Sequence, residues 1–143
     1  MKDSKKLNKG SAGQNRKLGA HFIDKYRTKP GVQDCASGLL YRVVEAAEGP
    51  SPTARDTVRV HQRIQNADGS PIADTYKTGL PDEFSLAEAI AGLSEGLQLM
   101  ALGSRYEFVI PPELAWGKKG AGNTIGPNAV MVFDVRLLQI IPG

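Results

Sequence analysis

One cysteine, one tryptophan and two histidines occur in 143 residues, and these scarcities exclude much chemistry. Cys35 alone can form no intramolecular disulfide and no cysteine-based metal site, which leads us to expect a reducing, cytoplasmic setting. No apolar segment near the N-terminus reads as a signal peptide, and no run is long enough to cross a bilayer, so no membrane partner is expected. His21 and His61 stand in neither a Ser/His/Asp or Cys/His arrangement nor a metal-ligand spacing, so neither a metal nor a cofactor is expected. Carboxylates show no spacing that marks acid/base work, and Asp82-Glu83 reads as a solvated turn. The run Gly117 to Thr124 resembles a phosphate loop only in composition, because it departs from the G-x-x-x-x-G-K-[ST] order and follows no strand-to-helix context. An enzyme built from this chain must work without a nucleophile or a metal.

What is present describes one ordinary globular domain, 41% hydrophobic and 23% charged. The net charge of +3 is unevenly placed. Residues 1–31 hold nine Lys/Arg against Asp3 and Asp24, or +7, which leaves nine cationic and thirteen acidic side chains, or −4, in the remainder. The basic character belongs to a tail and not to a binding face, so no nucleic-acid partner is expected. Residues 1–14 are predicted to be a disordered basic arm. Residues 15–36 are predicted to hold a short helix and a linker, and 37–143 the folded domain.

The patterning is mostly that of strands. Asn15 can cap a helix from Arg16 to about Arg27, with Leu18, Phe22 and Tyr26 along one stripe and Pro30-Gly31 as its stop. Ser37–Val44 and Val58–Gln65 read as strands. In the second, Val58, Val60 and Ile64 share a face with Gln62, a polar residue on an apolar face. It is either a buried amide with partners or a position at the rim of a cavity. Asp68-Gly69 marks a turn, and Ile72–Tyr76 is ambiguous. From Phe84 to Leu102 the period becomes helical through Leu86, Ile90, Leu93, Leu97 and Met100, with Ser85 and Glu88 as a candidate capping box. Gly92 and Gly96 weaken a continuous helix, so a turn near Ala87–Ala89 and a short helix over Ala91–Leu99 are expected.

The stretch Tyr106–Phe133 organises the rest. An alternating strand ends at Pro111-Pro112, where proline supplies no ladder donor. A glycine-rich loop then carries Trp116 and runs through Ile125, and Pro127-Asn128 releases the chain into the strand Val130–Ile140. The whole reads as an α+β domain, in which a loop tryptophan closes one end of a sheet.

G-L-Q-L-M at 96–100, Y-E-F-V-I-P-P-E-L-A-W-G at 106–117, G-A-G-N-T-I-G-P-N-A at 120–129 and V-F-D-V-R-L-L at 132–138 resemble the FKBP-type peptidyl-prolyl cis-trans isomerases. The resemblance covers about Ser37 to Ile140. The lead-in N-R-K-L-G-A-H-F with S-G-L-L-Y-R-V-V is similar to the Mip/FkpA/FklB-like bacterial subgroup, whose members usually carry a longer helical dimerisation region. The short lead-in here favours a monomer. The resemblance implies a twisted antiparallel sheet curled around a short helix and preceded by an N-terminal helix. It also implies a protein-folding isomerase or chaperone acting on proline-containing polypeptides. Carried over position by position, Ile90, Trp116, Ile125 and Phe133 would act on the prolyl group, with the Ile90 N–H donating to a substrate carbonyl. Gln62, Ile72, Ala89 and Leu93 would complete the substrate site. Most of these apolar residues could equally be plain core; Trp116 has the least core to fill.

The chain departs from the family pattern in its aromatics. Leu93 stands where the family has a pocket-floor tryptophan, and Gln62 where it has a tyrosine. Ile72-Ala73 replaces a phenylalanine-aspartate pair, Asp82 a pocket aromatic, and Trp116 a tyrosine. The implied affinity for the family's macrolide inhibitors is weak at most. The rival expectation is a non-catalytic module that holds proline-containing segments in the same groove.

Overall fold

Strand β3 (Thr57–Asn66) is the axis of the computed structural model, which describes residues 10–143. Its inward positions Val58 and Val60 are fully buried, Gln62 nearly so and Ile64 half-buried, while Arg59 points to solvent. Along one edge β3 pairs with β7 (Met131–Ile141) from Thr57 to Asn66. Its other edge is shared, β4 (Pro71–Asp74) pairing with Arg63–Gln65 and β5 (Asp82–Ser85) with Thr57–Val60. With β1 (Gln33–Asp34), β2 (Leu40–Glu45) and β6 (Arg105–Ile110), the sheet has the order β1-β2-β6-β7-β3-β4, and every pairing is antiparallel.

Two helices cover opposite faces. On one face lies α3 (Ala91–Leu97), whose Leu93 and Leu97 pack with Phe108, Ile110, Phe133 and Val135 in the main core. Its two glycines have a packing reason. A Cβ at Gly92 would lie 2.5 Å from Ile110 Cγ2, so the helix can approach β6 only without side chains there. On the other face lies α1 (Ala12–Arg27), where Tyr26 packs with Leu40, Val109 and Val130. The Tyr26 hydroxyl donates to Glu107 at 2.7 Å, and Arg42 pairs with the same carboxylate at 3.1 Å, fixing the end of the helix to β6 and β2. Burial, then the Glu107 carboxylate, hold the Tyr26 hydroxyl protonated well above its ordinary range.

The N-terminal helix begins earlier than its pattern indicated. Ser11 and not Asn15 is the cap, in a reciprocal capping box with Gln14, and Asn15 lies inside the helix with its amide on the Pro127 carbonyl. Residues 11–14, expected in the disordered arm, are therefore the cap and the start of the helix, while residues 1–9 of that arm lie outside the described residues. The helix ends at its Thr28 cap, before Pro30-Gly31. Leu18 is exposed, and the docked stripe is Gly19, Phe22, Ile23 and Tyr26.

The expected capping box at Ser85 and Glu88 does not form. Phe84 and Ser85 end strand β5, and Glu88 merely closes a backbone turn onto the Ser85 carbonyl. The cap of α3 is Ile90, which supplies no side-chain hydrogen bond. The ambiguous Ile72–Tyr76 divides between β4 and a single helical turn, α2 (Thr75–Thr78), capped by Asp74.

Candidate functional site

A slot of about 150 Å³ opens between α3 and the inner face of the sheet. Its walls are Gln62 and Ile64 of β3, Phe84 of β5, Ala89, Ile90 and Leu93 at the start of α3, Trp116, and Phe133 of β7. Strand register gathers these residues from distant parts of the chain. Phe133 stands directly across from Ile64 on one side and from Phe108 on the other, which fixes its ring between two ladders. Leu93 and Phe133 are core residues as well as walls, so the slot is a dimple in the main core.

Ile90 contributes more than its side chain. As the cap of α3 it leads a turn whose first amide groups have no helical partner. Its own N–H finds no acceptor among the described residues. Ile90 itself is one of the walls of the slot.

Trp116 is held by backbone geometry. After β6 the chain makes one 3₁₀ turn at Pro112–Leu114, and the Ala115 and Gly117 amides both donate to the Pro112 carbonyl. Gly120 accepts φ +68°, donates to the Trp116 carbonyl, and approaches the Ile125 backbone too closely for any Cβ. The half-buried indole is thereby set against the slot with little core of its own to fill.

Gln62 occupies the point where the edge of β3 passes from β4 to β5. No strand pairs with it on that side, and its backbone N–H donates instead to the Thr75 hydroxyl at 2.7 Å. Its side-chain amide donates to Asp82 at 2.9 Å. Both readings of this position, buried amide and cavity wall, describe it.

Of the eight positions expected at the site, the structure brings Gln62, Ala89, Ile90, Leu93, Trp116 and Phe133 together around the slot. Ile125 and Ile72 are not among its walls. Ile125 is buried in the main core, its backbone locked by the two hydrogen bonds of the Ala121–Ile125 bridge. Ile72 is half-buried against the core from edge strand β4. Ile64 and Phe84 line the slot without having been singled out. Ile64 could have been found by alternation from Gln62, whereas Phe84 lay in a segment whose helical period masked a strand.

The strongest electrostatic feature lies on the opposite face of the sheet. Asp134, nearly buried, receives two hydrogen bonds of 2.8 Å from Arg105 and one of 3.0 Å from Tyr76, with Arg63 at 3.8 Å. Burial pushes its carboxyl upward, but these donors outweigh it and hold the group below the usual carboxylate range. Cys35 offers no activated nucleophile, since burial first and then Glu95 raise its thiol. A larger groove of about 560 Å³ lies between α1 and the loop after β6, lined by Gly19, Ile23, Pro111 and Val130 among others. It shares no residue with the slot.

Comparison with known proteins assigns this arrangement to a family. Residues 49–138 match the family model for FKBP-type peptidyl-prolyl cis-trans isomerase, and residues 1–43 match the domain amino terminal to it. A probable isomerase of this type, FkpA of Neisseria meningitidis, is 39% identical over 92% of this chain and 48% of its own length. The outer membrane protein MIP of Legionella longbeachae is 36% identical over 97% of this chain and 59% of its own. The chain thus spans about half the length of the curated relatives it matches. The crystal structure of FkpA from Escherichia coli superposes with a TM-score of 0.88 at 40% identity, over 92% of this chain and 61% of that one. A peptidyl-prolyl isomerase structure from Pseudomonas syringae gives 0.84 at 30% identity, over 92% of this chain and 97% of that one. A sheet wrapped on one short helix, a slot between them and matches across both parts of the chain lead to one conclusion: this chain belongs to the FKBP-type peptidyl-prolyl cis-trans isomerase family.

Proposed function

We propose that the chain catalyses cis-trans rotation about Xaa-Pro bonds in unfolded or loop segments of other polypeptides, with the prolyl ring seated in the slot. The observation that carries this reading is the slot's size and lining. Its volume of about 150 Å³ is well below the roughly 300 Å³ of drug-sized sites, so it takes one compact apolar side chain. All its walls but Gln62 are apolar.

Such a slot suits the reaction. The Xaa-Pro barrier of about 20 kcal/mol arises from C–N resonance, whose charge-separated form water stabilises. Seating the imide among Phe133, Leu93 and Trp116 removes that water, and a cavity fitted to the twisted imide favours the transition state over both planar isomers. The Ile90 N–H would hold the flanking carbonyl in place during rotation. A rate gain of ~10³–10⁵ needs only about 4–7 kcal/mol, within reach of non-covalent binding. The protein acts as a monomer in this reading, and the leucine floor at position 93 gives macrolide inhibitors little aromatic surface, hence weak binding.

NMR exchange spectroscopy on a short Leu-Pro peptide tests the proposal. Isomerisation accelerated at enzyme concentrations far below the peptide's is expected. Binding without any acceleration would replace the proposal with a non-catalytic module that holds proline-containing segments.

A further inference from the structure

We infer that Gln62 and Asp82 form a substrate-selecting element, through which the slot prefers segments carrying a lysine or arginine next to the proline. The inference rests on the slot being the proline-binding site.

Three observations support it. Gln62 is 6% exposed and lines the slot, and its Oε1 is buried with no hydrogen-bond partner among the described residues. A buried orphan carbonyl is costly, and native interiors rarely keep one without a use. Second, the Gln62 amide spends its donor on Asp82 Oδ2 at 2.9 Å, which fixes the carboxylate. Asp82 precedes the slot residue Phe84 by two positions on β5, so both project from the same face of that strand. Third, Asp82 has no cation within ion-pair distance among the described residues, whereas the neighbouring Glu83 is paired with Arg59 at 3.1 Å. A fixed, uncompensated carboxylate beside an orphan acceptor makes a wall rich in acceptors and poor in donors. A peptide that brings an ammonium or guanidinium pairs with the Asp82 carboxylate, the enclosed Gln62 Oε1 adding partial negative charge behind it, and an acidic neighbour is repelled. A purely structural Gln62–Asp82 contact would explain the buried amide N–H but leaves the unpaired Asp82 charge without a purpose. Asp82 is the contact group in this scheme, and Gln62 is the residue that positions it.

The test is NMR titration of the full chain with three proline peptides that differ only beside the proline, carrying Lys, Leu or Glu. Binding is read directly, so the outcome does not depend on turnover. In wild type, Lys should bind about fivefold more tightly than Leu at low salt, and Glu correspondingly more weakly, the spread narrowing at high salt. Asp82→Asn, nearly isosteric, should collapse the Lys/Glu ratio towards one, each variant's own Leu peptide serving as reference. Gln62→Leu should lower the ratio with Asp82 still present, and Gln62→Asn should restore part of it. A wild-type ratio near one, a ratio unchanged in Asp82→Asn, or no binding of any of the peptides would overturn the inference. Charge selectivity intact in wild type without accelerated isomerisation would instead remove the proposed activity and leave the inference standing.

Discussion

Gly96 of α3 and Phe108 of β6 meet so closely that a Cβ at position 96 would lie 2.5 Å from Cε1 of the ring. The contact sets the distance between helix and sheet, and therefore the depth of the slot that Leu93, one turn earlier, shares with Phe133.

Two forces oppose each other at that position, and their sizes decide a prediction. Helix propensity alone makes Gly96→Ala stabilising by about 1 kcal/mol. Overpacking a fully buried ring costs about 1–3 kcal/mol, because Phe108 has no free space to move into. A net loss of stability is therefore expected in urea denaturation. A variant more stable than wild type would show that helix and sheet are not in this close contact.

Trp116 should separate function from folding. The indole is half-buried on a loop whose shape is set by backbone hydrogen bonds, so its removal leaves the main core standing. Trp116→Ala should cost about 1 kcal/mol of stability, less than the 3–5 kcal/mol typical of a deep aromatic. It should lower kcat/KM for a Leu-Pro peptide by tenfold or more, because one wall of the slot becomes open to water. Activity within a factor of two of wild type would mean that the indole does not bound the reacting imide.

Strand alternation and the Pro and Gly punctuation carry most of this fold, which is why β3, β6 and β7 were legible within a residue or two. The misread segments have different causes. Phe84 to Leu102 has its apolar residues at helical spacing throughout, yet Phe84 and Ser85 pair with Val58 and Thr57, since edge pairing outweighs periodicity over four residues. Ser11 was overlooked because its helix opens with Ala12 and Gly13, which give no apolar signal. At the site, local sequence marked Trp116 and Gln62 as odd, but only the sheet register reveals that Ile64 faces Phe133. The Gln62–Asp82 contact spans twenty residues and depends on β5 being a strand, so no local pattern could show it.

Asp134 provides a test that pH can drive. Its folded-state pKa is depressed, so its contribution to stability is present above the unfolded value of about 4 and is lost as pH falls through the lower folded value. Asp134→Asn keeps the shape and removes the charge that Arg105 and Tyr76 share. Because the carboxylate is nearly buried, the variant should be about 2–3 kcal/mol less stable than wild type at pH 7. The sign of the linkage requires that gap to shrink below about pH 4, as wild type gives up the stabilisation the variant already lacks. Urea midpoints for both proteins at pH 7 and pH 3 measure it. A gap that stays constant between the two would mean that Asp134 acts through packing alone, and that the ion-pair network on the outer face does not stabilise the sheet.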